Sequence, residues 1–353
     1  MKKINFFSLL FVFLITLPFY SYPSNDFLFS WKCIDPKGLV IFEFEAGSIF
    51  PFKEGFALFE YKGKYGYLDE KGIVKINPLF FDAYSFQEGR ARYVRMKLEG
   101  KMGYYLWGYI DKNGKIVIEA QYDHAWDFQE ERAVVEKEGS YGFIDPDGKI
   151  IIPLRYEAAW GFSEGKALVK KDKKYGYIDQ KGVFLIEPVY EEAGDFSQGL
   201  AFVRKNGKYG FIDEKGNEVI PMIFDSVKNF FEKKAAAALY DIEKDRFYWG
   251  FIDTSGKWVI PPKFTNADRF SDGIAAVQFG YSWGYIDEKM KIILKPKFLF
   301  KDNDFPEKYH NGLLLYQQEG KYGYLNTKGE VEIPANFTKA GIFSENKAFV
   351  SEN

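Results

Sequence analysis

Tyr175-Gly176-Tyr177-Ile178-Asp179-Gln180-Lys181-Gly182 decides the fold, because the rest of the chain repeats it. The pattern is aromatic, Gly, aromatic, Ile or Leu, Asp or Asn, two polar residues, Gly. It recurs from Tyr65, Trp107, Tyr141, Tyr209, Trp249, Trp283 and Tyr322, and in weaker form from Trp31. The steps between these nine starts are 34, 42, 34, 34, 34, 40, 34 and 39 residues. A fixed period of this size marks a stacked-repeat architecture. Such an array is one continuous body whatever its length.

Residues 141–174 show the unit most clearly. Tyr141-Gly142-Phe143-Ile144-Asp145 is rich in aromatic and β-branched residues and reads as a short strand. Asp145-Pro146-Asp147-Gly148 reads as a tight turn. Its Asp can accept from the backbone two residues on, and its Gly takes positive φ without steric cost. Lys149 to Pro153 is the returning strand, which Pro153 is expected to stop for want of an N–H. A bend carrying Tyr156, Trp160 and Phe162 follows, then a third strand, Lys166-Ala167-Leu168-Val169. The unit thus has three clear strands, with room for a fourth inside the bend.

Two columns hold their phase. The residue 21 after each start is Phe52, Phe86, Phe128, Phe162, Phe196, Phe230, Phe270 and Phe343. The residue 26 after is Ala57, Ala91, Ala133, Ala167, Ala201, Ala235, Ala275 and Ala348. Tyr309 and Leu314 fit the two columns once five extra residues in the eighth unit are allowed. The Phe is expected to fill the gap between units, and the small Ala to let a neighbour's backbone approach. A third column is the motif glycine: Gly66, Gly108, Gly142, Gly176, Gly210, Gly250, Gly284 and Gly323. A strand glycine marks a bulge or a close approach, here expected to be an aromatic ring of the adjacent unit. Residues 95–106 and 240–248 carry insertions at one connection, and 299–308 carry a third in the bend. Met290 stands where the turn glycine belongs, so that turn is expected to be strained or of another type.

The fold class expected is all-β: nine meander units of about 34 residues in an open solenoid-like array, with a β-propeller as the alternative. Propeller blades normally carry four strands, and four to eight blades are typical. Three clear strands and nine units therefore weigh towards the open array. A strand at Ala348 paired beside the one at Trp31 would defeat it.

Residues 1–22 read as a secretory signal, with Lys2 and Lys3 before an apolar run from Phe6 to Leu17. That run is short for a membrane span, so export with no integral span after cleavage is expected, to the periplasm, outer surface or medium. Residues 23–30 are a lead-in, and 31–350 the array. Cys33 is the single cysteine, so no internal disulfide can form. Charge is nearly balanced, 48 basic against 50 acidic residues, which disfavours a nucleic-acid partner.

The pattern W/Y-G-Y/F-I-D-x-x-G-K-x-V-I-P, followed by Y/F-D-x-A-x-x-F-S-E-G-x-A-x-V, resembles the WG-repeat family. That family includes the short KWG repeats of spirochaete proteins. The resemblance covers residues 31–350 and implies a bacterial secreted or envelope repeat protein. It supplies no general catalytic motif.

The residues themselves offer little chemistry. His124 and His310 are the only histidines, and no ligand cluster of zinc spacing surrounds either. No metal, cofactor or nucleophile elbow is expected. The sharpest binding signal is a variable column, 19 residues after each start. It holds Tyr84, Trp126 and Trp160 in consecutive units, then Gly194, Lys228 and Asp268. His124, Asp127 and Asp195 lie in the same bends. Aligned rings would bind a glycan or a peptide; the competing reading packs them between units. The function expected is therefore a non-enzymatic binding or scaffold protein with a protein or glycan partner. The alternative is a glycan hydrolase using two carboxylates in one cleft.

Overall fold

A computed structural model describes residues 27–99, 102–298 and 307–352. Residues 1–22, read above as a signal, and most of the 299–308 insertion lie outside these residues. Among them the chain is all strand and turn. It forms eight four-stranded antiparallel sheets and one three-stranded sheet. Each sheet is one blade of a closed nine-bladed propeller.

The fourth strand is indeed in the bend. In blade 4 the strands are His124–Ala125, Ala133–Lys137, Ser140–Ile144 and Ile150–Tyr156, hydrogen-bonded in that order. The first is only two residues long, too short to be read from alternation. A sequence unit supplies the last two strands of one blade and the first two of the next.

The open array is overturned by blade 1. There Phe29–Ile34 and Val40–Ala46 join Lys339–Ala340 and Ala348–Ser351 in one sheet. Lys32 pairs with Val350, Cys33 with Phe349 and Ile34 with Ala348. The two chain ends thus complete each other in blade 1.

Packing between blades explains the Phe column. Phe86 lies 4.8 Å from Tyr67 of the preceding blade, Phe196 4.8 Å from Tyr177 and Phe270 4.7 Å from Phe251. The partner is in each case the second aromatic of the motif. The Ala column lies in the same clusters, fully buried beside these rings.

The motif glycine has a different neighbour from the one expected. A Cβ on Gly176 would stand 2.6 Å from the Ile186 carbonyl oxygen and 2.7 Å from the Pro188 nitrogen. Gly142 meets Ile152 and Leu154 in the same way. What closes over the glycine is the blade's own fourth strand, which bulges there and breaks register, rather than a ring of the next unit. Pro153 sits in that bulge, so the strand Ile150–Tyr156 runs through it instead of stopping. A bulge leaves a position with no ladder bond to make.

The hairpin turns follow the Asx pattern. Asp179 Oδ1 accepts from the N–H of Lys181 and Val183, both at 2.9 Å, and Gly182 takes φ of +80°. Met290 forms the same turn at φ of +64°, so it carries the strain of a left-handed non-glycine residue. The insertions at 95–106 and 240–248 lengthen the same connection in blades 3 and 7. Paired strands Arg90–Glu99 and Met102–Asp111 make the first, and Lys234–Asp241 with Arg246–Asp253 the second.

A second set of turns joins the blades into a ring. Each lies between the first and second strands and has a residue at positive φ, such as Glu54, Glu88 or Glu164. Glu54 accepts from the N–H of Gly89, Glu88 from Glu131, Glu130 from Gly165 and Glu164 from Gly199. Gln198 accepts from Lys233, Glu232 from Gly273, Asp272 from Gly312 and Asn311 from Asn346. Glu345 accepts from Gly55 and completes the circuit. Equally spaced blades are closest near the axis, so the edge where every neighbour is within side-chain reach is the inner one. The short first strands therefore line the bore.

Candidate functional site

The column 19 residues after each start falls on the segment leaving the short inner strand or, for Trp160 and Asp268, inside a longer first strand, Ala158–Ser163 and Asn266–Ser271. At Tyr84 and Trp126 its backbone is engaged on both sides. The Tyr84 N–H donates to Arg92 O at 3.0 Å, and its carbonyl accepts from the Tyr67 hydroxyl at 2.6 Å. Trp126 donates to Val134 O at 3.0 Å and accepts from Tyr109 at 2.7 Å. At these two positions, with both main-chain groups satisfied by the scaffold, the side chain is what remains for the bore.

Around the ring the column reads Phe50, Tyr84, Trp126 and Trp160 in blades 2 to 5, and Gly194 in blade 6. Lys228, Asp268 and Glu307 follow in blades 7 to 9, and Gly341 in blade 1. Glu307 is placed by its carbonyl, which accepts from Tyr285 as Tyr84 does from Tyr67. Four aromatic residues thus stand side by side, bounded by a glycine at each end. Phe50 extends the arc by one blade beyond the rings singled out above; the same count from Trp31 finds it.

Tyr84, Trp126 and Trp160 rest on the first aromatic of the motif in their own blade. Tyr84 lies 5.2 Å from Trp107, Trp126 5.7 Å from Tyr141 and Trp160 5.7 Å from Tyr175. Tyr84 also packs against the buried cluster shared by blades 3 and 4, as the competing reading had it. Phe50, Trp126 and Trp160 remain 38%, 40% and 37% exposed.

Blades 3 and 4 are tied together at this level. The Arg92 guanidinium lies over Tyr84 at 4.1 Å, and donates to Asp127 at 2.7 Å and to the Ala125 carbonyl at 2.9 Å. His124 bridges Trp107, at 6.5 Å, and Trp126, at 6.2 Å. Tyr84, His124, Trp126 and Asp127 thus form one cluster. Trp160 holds the equivalent place in blade 5, and Asp195 lies in blade 6 beside the Gly194 notch.

Asp195 has one buried carboxylate oxygen with no partner, and burial raises its pKa to about 6. A folded-state pKa above the unfolded value favours the protonated form. That contribution is complete below the unfolded pKa of 3.8 and lost as pH rises through about 6. Asp195→Asn should therefore stabilise the protein above about pH 7 by up to about 3 kcal/mol. The gain should vanish near pH 4 when thermal melts are compared across pH.

The opposite sector is charged. Asp268 pairs with Lys228 at 3.4 Å and Lys308 at 3.2 Å. Burial lowers the Lys228 pKa, while the two lysines and the Arg269 N–H hold Asp268 below its usual range against the effect of burial. Among the described residues no cluster of three or more metal-ligating side chains occurs.

Solved structures share the fold. A crystal structure of the eukaryotic initiation factor aligns over 92% of this chain and 98% of its own, with a TM-score of 0.58 at 11% identity. The Pyrococcus horikoshii acylaminoacyl peptidase aligns over 72% of this chain and 46% of its own, at 12% identity and a TM-score of only 0.37. At such identities the first likeness concerns fold alone, and the second is too weak to add to it. No curated protein matches the sequence.

The family described as WG containing repeat matches nine times. The matched residues are 33–65, 65–101, 107–141, 141–175, 175–209, 209–239, 249–281, 283–298 and 322–353. Those matches take in nearly every residue from the first blade to the last, and the chain is a member of the WG-containing-repeat family.

Proposed function

We propose that this protein is an exported, non-enzymatic binding or scaffold protein that holds a protein or glycan partner on the aromatic arc of its bore. The propeller fold suggests a binding or scaffold role in general terms. One observation carries the finer reading: consecutive blades present rings that are exposed by more than a third although each rests on a second ring. Rigid rings held this way have little conformational entropy left to lose on binding. Two of the acids at this level are engaged in the scaffold, Asp127 with Arg92 and Asp268 with two lysines, which leaves these two poorly placed for hydrolysis.

Residues 23–353 immobilised on resin should capture a partner from envelope or host-matrix extracts. Combined Tyr84→Ala, Trp126→Ala and Trp160→Ala replacement should cut capture at least about tenfold, since buried aromatic anchors dominate binding energy. Undiminished capture by a folded triple variant would refute the arc. Release of sugars from envelope polysaccharide would point to the hydrolase instead.

A further inference from the structure

Resting on that reading, the geometry points to a glycan chain as the occupant, lying along the arc in a row of four ring subsites at Phe50, Tyr84, Trp126 and Trp160. Two features favour a sugar chain over a peptide. A peptide held in extended form gains affinity by pairing its backbone with free N–H and C=O groups. At Tyr84 and Trp126 those groups are already bonded within the scaffold. What remains is a ring in each of the four blades, more than a third exposed at Phe50, Trp126 and Trp160 and partly covered by Arg92 at Tyr84, and a flat ring matches the apolar C–H face of a pyranose. Polar groups for its hydroxyls lie at the edges, with Asp127 about one-third exposed and His124 about two-thirds.

The length of the row follows from its ends. Gly194 and Gly341 flank it with no side chain of their own, and at Gly194 the partly buried Phe202 ring takes the place. Beyond Gly194 the column turns to Lys228 and Asp268, which engage each other. A chain should therefore gain affinity with each unit that reaches a new ring, and stop gaining once it spans Phe50 to Trp160. The two ends also differ in the room they leave. A Cβ at Gly194 would stand 2.2 Å from the Phe202 ring, whereas at Gly341 it meets only the Phe349 carbonyl oxygen at 3.7 Å. The row can thus be lengthened experimentally at Gly341, next to Phe50, without disturbing the blade.

The test is titration of the mature protein with cello- and chito-oligosaccharides of graded length, read by Trp fluorescence and calorimetry. Affinity should rise with length and then level off. Trp126→Ala, in the middle, should weaken every chain at least about tenfold. Phe50→Ala should weaken only the long ones and move the plateau to a shorter chain. Gly341→Trp should move it to a longer chain, a gain that misfolding cannot imitate. Binding that ignores length, with Phe50→Ala and Gly341→Trp silent, would overturn the four-ring row while leaving the arc as a binding surface. Failure of every length to bind, with a protein captured through the same rings, would overturn the glycan assignment alone. Failure of both sugar binding and ring-dependent capture would overturn the proposed function as well.

Discussion

Gly176→Ala is expected to destabilise the protein by about 3 kcal/mol or more, measured by denaturant unfolding. The added Cβ would stand 2.6 Å from the Ile186 oxygen and 2.7 Å from the Pro188 nitrogen. Both are backbone atoms of a bulged strand, so neither can swing aside as a flexible side-chain end would. Relief requires the fourth strand to lift away, and with it the buried Ile186. Gly165→Ala is the control. Its Cβ would meet nothing within 4 Å, but the residue sits at φ of +75°. Its cost should be backbone strain alone, about 1 kcal/mol. Equal losses at the two positions would show that the motif glycine serves conformation rather than close approach.

Removing residues 339–353 should have a larger effect still. Ala348–Ser351 is the strand of blade 1 that pairs with Phe29–Ile34 and closes the ring, and all four of its residues are buried. Its loss removes the buried Phe349 and Val350, about 1.5–3 kcal/mol each by area, and uncovers Phe52, which stacks on Phe349 at 5.1 Å. The ring of turns is also cut, because Glu345 is the acceptor for Gly55 and the Ser344 hydroxyl donates to the Phe52 carbonyl at 2.6 Å. The expected outcome is loss of the single cooperative transition, with the first blade melting early in calorimetry. One sharp transition near the full-length midpoint would mean that blades hold their places without closure, as in an open array.

Much of the fold was legible in the repeat. The nine starts, the Asx turns and the Phe column each rest on a local rule: a turn needs an acceptor and a residue tolerant of positive φ, and a repeated core needs a repeated ring. The short inner strand was not legible. Two residues such as His124–Ala125 carry no alternation, and their pairing exists only because the next strand, Ala133–Lys137, folds back on them. The roof over the motif glycine escaped for a related reason. Bulges are set by register between two strands, and a single strand's composition does not encode them.

The ring position of the candidate site was legible as a variable column, and Phe50 belonged to it by the same count. The Arg92 link was not, since the 35 residues between Arg92 and Asp127 are crossed only in space. The turn acids such as Glu54 and Glu164 recur just as plainly in the sequence. Their work in joining one blade to the next could not be read there.

The sequence by itself determined that this protein is an all-β stack of nine like units, because each unit repeats its own turn and core chemistry. Whether the stack stays open or closes was decided by tertiary structure alone. The rotation between neighbours is set by how a Phe seats against the preceding blade's motif ring. Only the sum of nine such rotations brings Ala348 beside Ile34. The same closure turns a column of residues that differ from unit to unit into the wall of a bore.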